Sequence, residues 1–239
     1  MHESQDDRQP SPGTPPGAQA PVSFDRHAGT YDQLHADSIK ASGESTVYFA
    51  EYKLQCLERL GAREPILDFG CGIGNLTEQL VKRFVGVHGY DPSSESLRIA
   101  KDRAPSATFQ HVLSEVPDGT FQTAVLAGVL HHVPPANRTA LLSDVMQKLA
   151  PGGKVVVFEH NPFNPLTRRA VAACEFDDDA ILLWPWQLRG VLKGAGFAEV
   201  HLKYIVFFPK FLAALRPLEP KLGRLFMGAQ TMCTATKPG

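Results

Sequence analysis

The stretch Ile66-Leu67-Asp68-Phe69-Gly70-Cys71-Gly72-Ile73-Gly74-Asn75 carries the strongest chemical signal in this chain of 239 residues. An apolar strand ends in an acid and breaks into three glycines, each two residues apart. Glycine has no Cβ, so backbone N–H groups in such a loop can come close to a ligand. The helix-competent run Leu76 to Phe84 follows, and a helix presents the positive end of its dipole at its start. A second acid, Asp91, ends the next apolar run, Phe84 to Tyr90. The interval between Asp68 and Asp91 is close to the ~20 residues at which a second-strand carboxylate meets ribose hydroxyls in nucleotide-binding α/β units. These residues predict a site for a nucleoside-containing cofactor. Further along, His131, His132 and His160 stand at the ends of two other apolar runs, where a proton acceptor is useful.

The glycine spacing narrows the cofactor. The dinucleotide fingerprint G-x-G-x-x-G fails, because the glycines fall at 70, 72 and 74 and position 75 is Asn. The phosphate loop fails for want of Lys-Ser or Lys-Thr. The pattern D-x-G-C-G-x-G resembles motif I of class I S-adenosylmethionine-dependent methyltransferases, of the small-molecule type. Tyr90-Asp91-Pro92-Ser93 is similar to that family's second-strand acid motif. Gln122 to Val133 resembles its fourth strand, and Leu149 to Lys154 followed by Val155 to Phe158 its turn and fifth strand, the strand being read over 154–159. The blocks run in order from about Phe24 to Lys237.

The resemblance implies S-adenosyl-L-methionine as cofactor, held by Tyr31, Asp68, Gly70, Cys71, Gly72, Gly74, Asp91, Pro92, Ser114 and Val129. Tyr31 comes from the segment Phe24 to Asp32, which in the family covers the cofactor. Asp91 suits the ribose diol, because a carboxylate accepts two hydroxyl hydrogen bonds side by side. Asp68 orients the glycine loop and reaches toward the cofactor amino group. The family often places an acid after the third strand, against adenine; here the run is His111-Val112-Leu113-Ser114-Glu115, and Ser114 or a backbone amide takes that position.

Methyl transfer from a sulfonium is an in-line displacement, so the protein supplies alignment and a dry cavity. A hydroxyl acceptor also needs a base. The candidates are His160, His131 and His132. Side chains alternate along a strand, so at most one of His131 and His132 is expected to face the cavity. Glu159 is read as structural or as the orienter of a nearby histidine. Asn161-Pro162-Phe163-Asn164 is set aside as an amino-methylase motif, since it follows the fifth strand and not the fourth. Catechol-type members bind Mg²⁺ through carboxylates near the fourth-strand end. Histidines stand there in this chain, so no metal is expected.

These residues need a frame. From Pro65 onward, strand-like and helix-like stretches alternate, which predicts an α/β fold. The sheet is expected to be doubly wound, mostly parallel and seven-stranded, with helices on both faces. As in the family, Gln230 to Thr236 supplies an antiparallel last strand. Residues 44–60 read as an amphipathic helix burying Tyr48, Phe49, Tyr52, Leu54, Cys56 and Leu57. Residues 1–22 hold almost nothing apolar and read as a disordered tail. Residues 23–239 then form a single domain with lid-like inserts at 161–184 and 208–228. The apolar runs 180–186 and 205–215 suggest a hydrophobic small-molecule acceptor, methylated on O or C. Arg168-Arg169 and Glu175 to Asp179 read as solvated charge clusters.

Composition bounds the rest. With 24 basic and 25 acidic residues, nucleic acid is not the expected partner, since that needs a basic face. The four cysteines have no metal-ligand spacing, and reduced thiols in a cytoplasmic protein are expected. No apolar run approaches the ~20 residues of a membrane span, so no integral membrane association is expected. Oligomeric state is not legible. A rival reading keeps S-adenosylmethionine binding but assigns a scaffold or regulatory role without methyl transfer.

Overall fold

The structure, a computed structural model, describes residues 42–174 and 177–239. Tyr31, the rest of Phe24 to Asp32 and the tail expected over residues 1–22 lie outside the described residues.

Ser45 starts the first helix, α1 (Thr46–Arg59), by accepting a hydrogen bond from the Tyr48 N–H, the usual way to satisfy an orphan donor at a helix start. Seven strands follow: β1 (Ile66–Phe69), β2 (Val87–Tyr90), β3 (Thr108–Gln110), β4 (Phe121–Ala127), β5 (Leu149–His160), β6 (Ala198–Ile205) and β7 (Gln230–Thr236). The helices among them are α2 (Asn75–Leu80), α3 (Ser94–Arg103), α4 (Arg138–Lys148), α5 (Pro165–Ala172), α6 (Pro185–Gly194) and the short α7 (Glu219–Leu222). The sheet order is β3-β2-β1-β4-β5-β7-β6. The first five strands in this order run parallel, and β7 is antiparallel to both its neighbours. This is the expected α/β fold. The order reverses between β1 and β4, and open α/β sheets bind ligands at the carboxyl ends of strands beside such a switch point.

Side-chain alternation sorts the core onto the two sheet faces. On one face Leu67, Phe69, Leu126, Val155 and Val157 pack with Leu142 and Val145 of α4 and Leu188 and Leu192 of α6. On the other, Ile66, Val125, Val156 and Phe158 meet Leu54 and Leu57 of α1 and Leu76 and Leu80 of α2. The strands at the sheet centre are buried on both faces, so they read as continuous apolar runs.

Two local expectations differ. Tyr48, Phe49 and Tyr52 are only half-buried, because two of these rings meet the second insert. The Tyr52 hydroxyl donates to Glu219 at 2.6 Å, and the Arg216 guanidinium lies 4.4 Å over the Tyr48 ring. Strand β5 begins at Leu149 and not Lys154, since Leu149 already pairs with Phe121 ahead of an irregularity at the Pro151-Gly152-Gly153 turn. Among the described residues no helix is long and apolar enough to cross a membrane.

Gly89 shows how tightly the site's floor is built. A Cβ placed there would stand 2.6 Å from the Phe109 ring and 2.9 Å from Cys71 Sγ. Gly89→Ala is therefore expected to destabilise the fold by about 1–3 kcal/mol, read as a lower urea midpoint at unchanged slope; an unaltered midpoint contradicts this packing.

Candidate active site

The glycine loop is fixed by backbone bonds to the next strand. Gly70 N and Cys71 N both donate to the Tyr90 carbonyl, at 2.7 and 3.0 Å. Gly70, Gly72 and Gly74 have φ of 75°, 52° and 84°, a region that costs other residues energy. Gly74 also lies so close to α3 that a Cβ would be 3.0 Å from the Ala100 backbone. Val129 closes over the loop, and its Cγ2 would be 2.6 Å from a Cβ at Gly70. At Gly72 a Cβ would meet nothing within 4 Å, so the loop's centre faces open space.

The two acids have distinct local roles. Asp91 accepts from Gly72 N at 2.8 Å and from Ser93 N at 2.9 Å, which aims its carboxylate at the middle of the loop. Asp68 is buried and accepts from the Thr77 hydroxyl at 2.7 Å. Burial pushes the Asp68 carboxyl up to about 6, against the Thr77 hydrogen bond and with help from the Asp91 charge. Pro92 and Ser114 are exposed just beyond the ends of β2 and β3.

The three histidines meet at the ends of β4 and β5. Gly128, with φ 73°, ends β4, and Leu130–His132 form a 3-10 turn. The expectation of strand alternation at 131 and 132 is therefore corrected: the turn brings both rings to one side, 4.1 Å apart, with the His160 ring 5.0 Å from His131. Glu159 organises them. Its Oε1 accepts from Leu130 N at 2.7 Å, and its Oε2 lies 2.6 Å from His131 Nδ1. Asp177 Oδ1 stands 3.5 Å from Nε2 of both His131 and His132. The Asp179 carboxylate is 3.0 Å from His132 Nδ1.

Electrostatics differ sharply within this cluster. Burial opposes charge on His131, but Glu159 and Asp177 outweigh it and lift the imidazole to about 9. Burial and the positive His131 pull His160 down to about 4 and also lower His132. Burial works against the Glu159 and Asp177 carboxylates, yet the neighbouring histidines hold both below their ordinary range. Of the three rings, His131 is thus pushed toward the charged form and the other two toward the neutral form.

Sequence reasoning passed over three participants. Asp177 belongs to a run read as a solvated face, and the fold of the insert turns it onto the histidines. It also helps line an open cavity of about 610 Å³ beside α5, with Arg168, Arg169, Val171 and Leu182. Lys53 of α1 is held near 8 by burial, with Cys56, Asp68 and Glu159 working against the fall. Thr77 had no signal beyond its place in α2. The expectation of no metal rested on a strand-four end without carboxylates; Asp177 reaches that place from elsewhere in the chain.

The fold is that of the class I S-adenosylmethionine-dependent methyltransferases. One crystallised member, from Archaeoglobus fulgidus, superposes with a TM-score of 0.61 at 18% identity, over 79% of this chain and 94% of the other. A phosphoethanolamine N-methyltransferase 2 from Haemonchus contortus, solved with phosphomonomethylethanolamine and S-adenosylhomocysteine, superposes with a TM-score of 0.60 at 18% identity, over 91% of this chain and 61% of that one. The methyltransferase-domain family matches residues 44–202, more than half of the chain, and the chain belongs to that family. An uncharacterised methyltransferase from Bacillus thuringiensis (strain Al Hakam) is 34% identical over 142 residues, 56% of this chain and 63% of the relative. The match therefore spans less than two thirds of that relative's length.

Two outcomes follow from the buried charges. In Asp68 the folded carboxyl holds its proton to about pH 6, whereas the unfolded one releases it near 3.8. The folded state binds more protons in that window, so stability falls as pH rises from about 4 to about 6, by on the order of 3 kcal/mol. Asp68→Asn is expected to remove that slope in denaturant titrations; an identical pH profile refutes the buried carboxyl. Glu159→Gln leaves the His131 imidazolium without its carboxylate, and breaking a buried pair costs about 3–5 kcal/mol. A thermal midpoint within a degree or so of the parent would contradict that role.

Proposed function

We propose that the chain transfers a methyl group from S-adenosyl-L-methionine to a small, hydrophobic acceptor, on O or C. The observation that carries this reading is the pairing of the Gly70–Gly74 loop with the Asp91 carboxylate, beside a histidine cluster at the ends of β4 and β5. The residues fit the cofactor: the loop's centre is open at Gly72, Asp91 is held beside it by two backbone N–H groups, and Asp68 offers a carboxylate to an amino group. Bound there, S-adenosylmethionine supplies an electrophilic methyl carbon on a sulfonium.

In this reading the chain's own groups do the remaining work. Asp91 accepts the ribose hydroxyls. Gly70, Cys71, Gly72 and Gly74 bring backbone close to the cofactor, and Pro92, Ser114 and Val129 border the adenosyl group. Tyr31, outside the described residues, is assigned to the cofactor by the family resemblance alone. Of the catalytic candidates His160, His131 and His132, the lowered His160 and His132 rings are the ones able to take the acceptor's proton, and His131, paired with Glu159 and Asp177, positions them. The acceptor enters along the cavity beside α5, whose Asp177 also touches the cluster. The inserts at 161–184 and 208–228 act as lids on the single domain 23–239. An apolar acceptor is supported by the cluster of Phe163, Trp184, Trp186 and Phe226, whose ring centroids lie 5.1–6.0 Å from Phe163. Near-neutral net charge supports a small molecule over nucleic acid as acceptor.

Asp91→Ala is expected to weaken S-adenosylmethionine binding about 10-fold or more, by calorimetry, with the circular dichroism of the parent; near-normal affinity refutes the ribose assignment. His160→Ala is expected to lower turnover to S-adenosylhomocysteine roughly 100-fold while cofactor affinity is kept. Unchanged turnover means that the ring only anchors its loop. If purified protein binds cofactor but produces no methylated compound from a metabolite extract, the scaffold reading replaces this one.

A further inference from the structure

The histidine cluster is built like a cation site. One donor atom each from His131, His160 and Asp177 lies within 4.8 Å of the other two. Donors on a tetrahedral ion with bonds of about 2.0–2.2 Å sit about 3.4 Å apart. His131 Nε2 and Asp177 Oδ1, at 3.5 Å, already have that spacing, and the His160 donor must close by about 1.4 Å at most. A second observation is independent of these distances. Glu159 holds Nδ1 of His131 at 2.6 Å, the carboxylate–histidine arrangement that fixes a ligand's tautomer and aims its other nitrogen at a metal. Among the described residues the His160 ring makes no hydrogen bond, and it stands 5.0 Å from the His131 ring.

Charge points the same way. Three carboxylates, Glu159, Asp177 and Asp179, contact His131 and His132. Against them, the Lys53 ammonium acts on Glu159 and His160, and the Arg138 guanidinium on Glu159.

We propose that His131, His160 and Asp177 bind one divalent transition-metal cation of the zinc class at the carboxyl ends of β4 and β5. Two imidazoles and one carboxylate suit such ions better than Mg²⁺ or Ca²⁺. Three protein donors leave positions for water or for an acceptor oxygen. This deepens the methyl-transfer reading and, for its chemistry, rests on it. With an ion held there, His131 and His160 would serve as ligands and not as bases: the acceptor hydroxyl would coordinate, its O–H bond would break and the proton would pass to water or to His132. The oxygen lone pair then forms the bond to the methyl carbon as the carbon–sulfur pair returns to sulfur.

The test is made on the full-length chain without a histidine tag, stripped with a chelator and titrated with Zn²⁺ alone by calorimetry and with Co²⁺ alone by visible absorption. One equivalent is expected to bind, with Asp177→Asn and His160→Ala each weakening uptake about 10-fold or more. His201→Ala, on an exposed residue of β6, is expected to bind as the parent does. Circular dichroism establishes that each variant is folded. Uptake that survives both site substitutions, or no stoichiometric uptake by the parent, overturns the site. No cofactor or acceptor is present in the titration, so failure here leaves the methyl-transfer reading standing. Loss of turnover with intact metal binding would count against that reading alone.

Discussion

Much of the site hangs on one carboxylate. Glu159 closes β5 and reaches across to β4, where it takes the Leu130 N–H and the His131 ring together. The first bond sets the 3-10 turn that ends β4, and the second sets the ring's orientation and charge. Burying an ionised carboxylate is costly unless it is paired and hydrogen-bonded; Glu159 is both. Its charge, together with that of Asp177, pushes His131 toward the charged form, while burial first and His131 second push His160 and His132 toward the neutral form.

The sheet was legible because its strands are short apolar runs separated by glycine turns. The bounds of β7, Gln230 to Thr236, were read as they stand through the family resemblance. The glycine loop was legible because φ values of 52–84° strongly favour glycine at 70, 72 and 74. The histidine cluster was legible only in part. His131, His132 and His160 announce themselves by residue type, but their geometry does not follow from strand alternation, since Gly128 ends the strand one turn too early. Asp177 was not legible at all. It lies 17 residues beyond His160 in an acidic run that is indistinguishable, by composition, from solvated surface. Only the tertiary path of the insert brings it back.

That insert ties the two halves of the surface together. Asn161 donates to the carbonyls of Phe226 and Gly228, and Asn164 donates to that of Met227. Phe163, Trp184, Trp186 and Phe226 then form one aromatic group with several faces exposed. Apolar clusters of this kind on a surface mark places where something apolar docks. The bonds from Asn161 and Asn164 tie both inserts together next to the end of β5, so the group keeps a fixed relation to the histidines.

The placement of β7 has a consequence for how the molecule is assembled. It is the last strand in chain order, yet it is sandwiched between two earlier ones. Until it arrives, β5 and β6 each expose a row of unsatisfied amides and carbonyls, and such open borders invite pairing with other chains. The strand that carries Glu159 and His160 is thus left unzipped on one flank until residues 230–236 are made. A nascent polypeptide halted before Gln230 is a candidate for aggregation, not a smaller working enzyme.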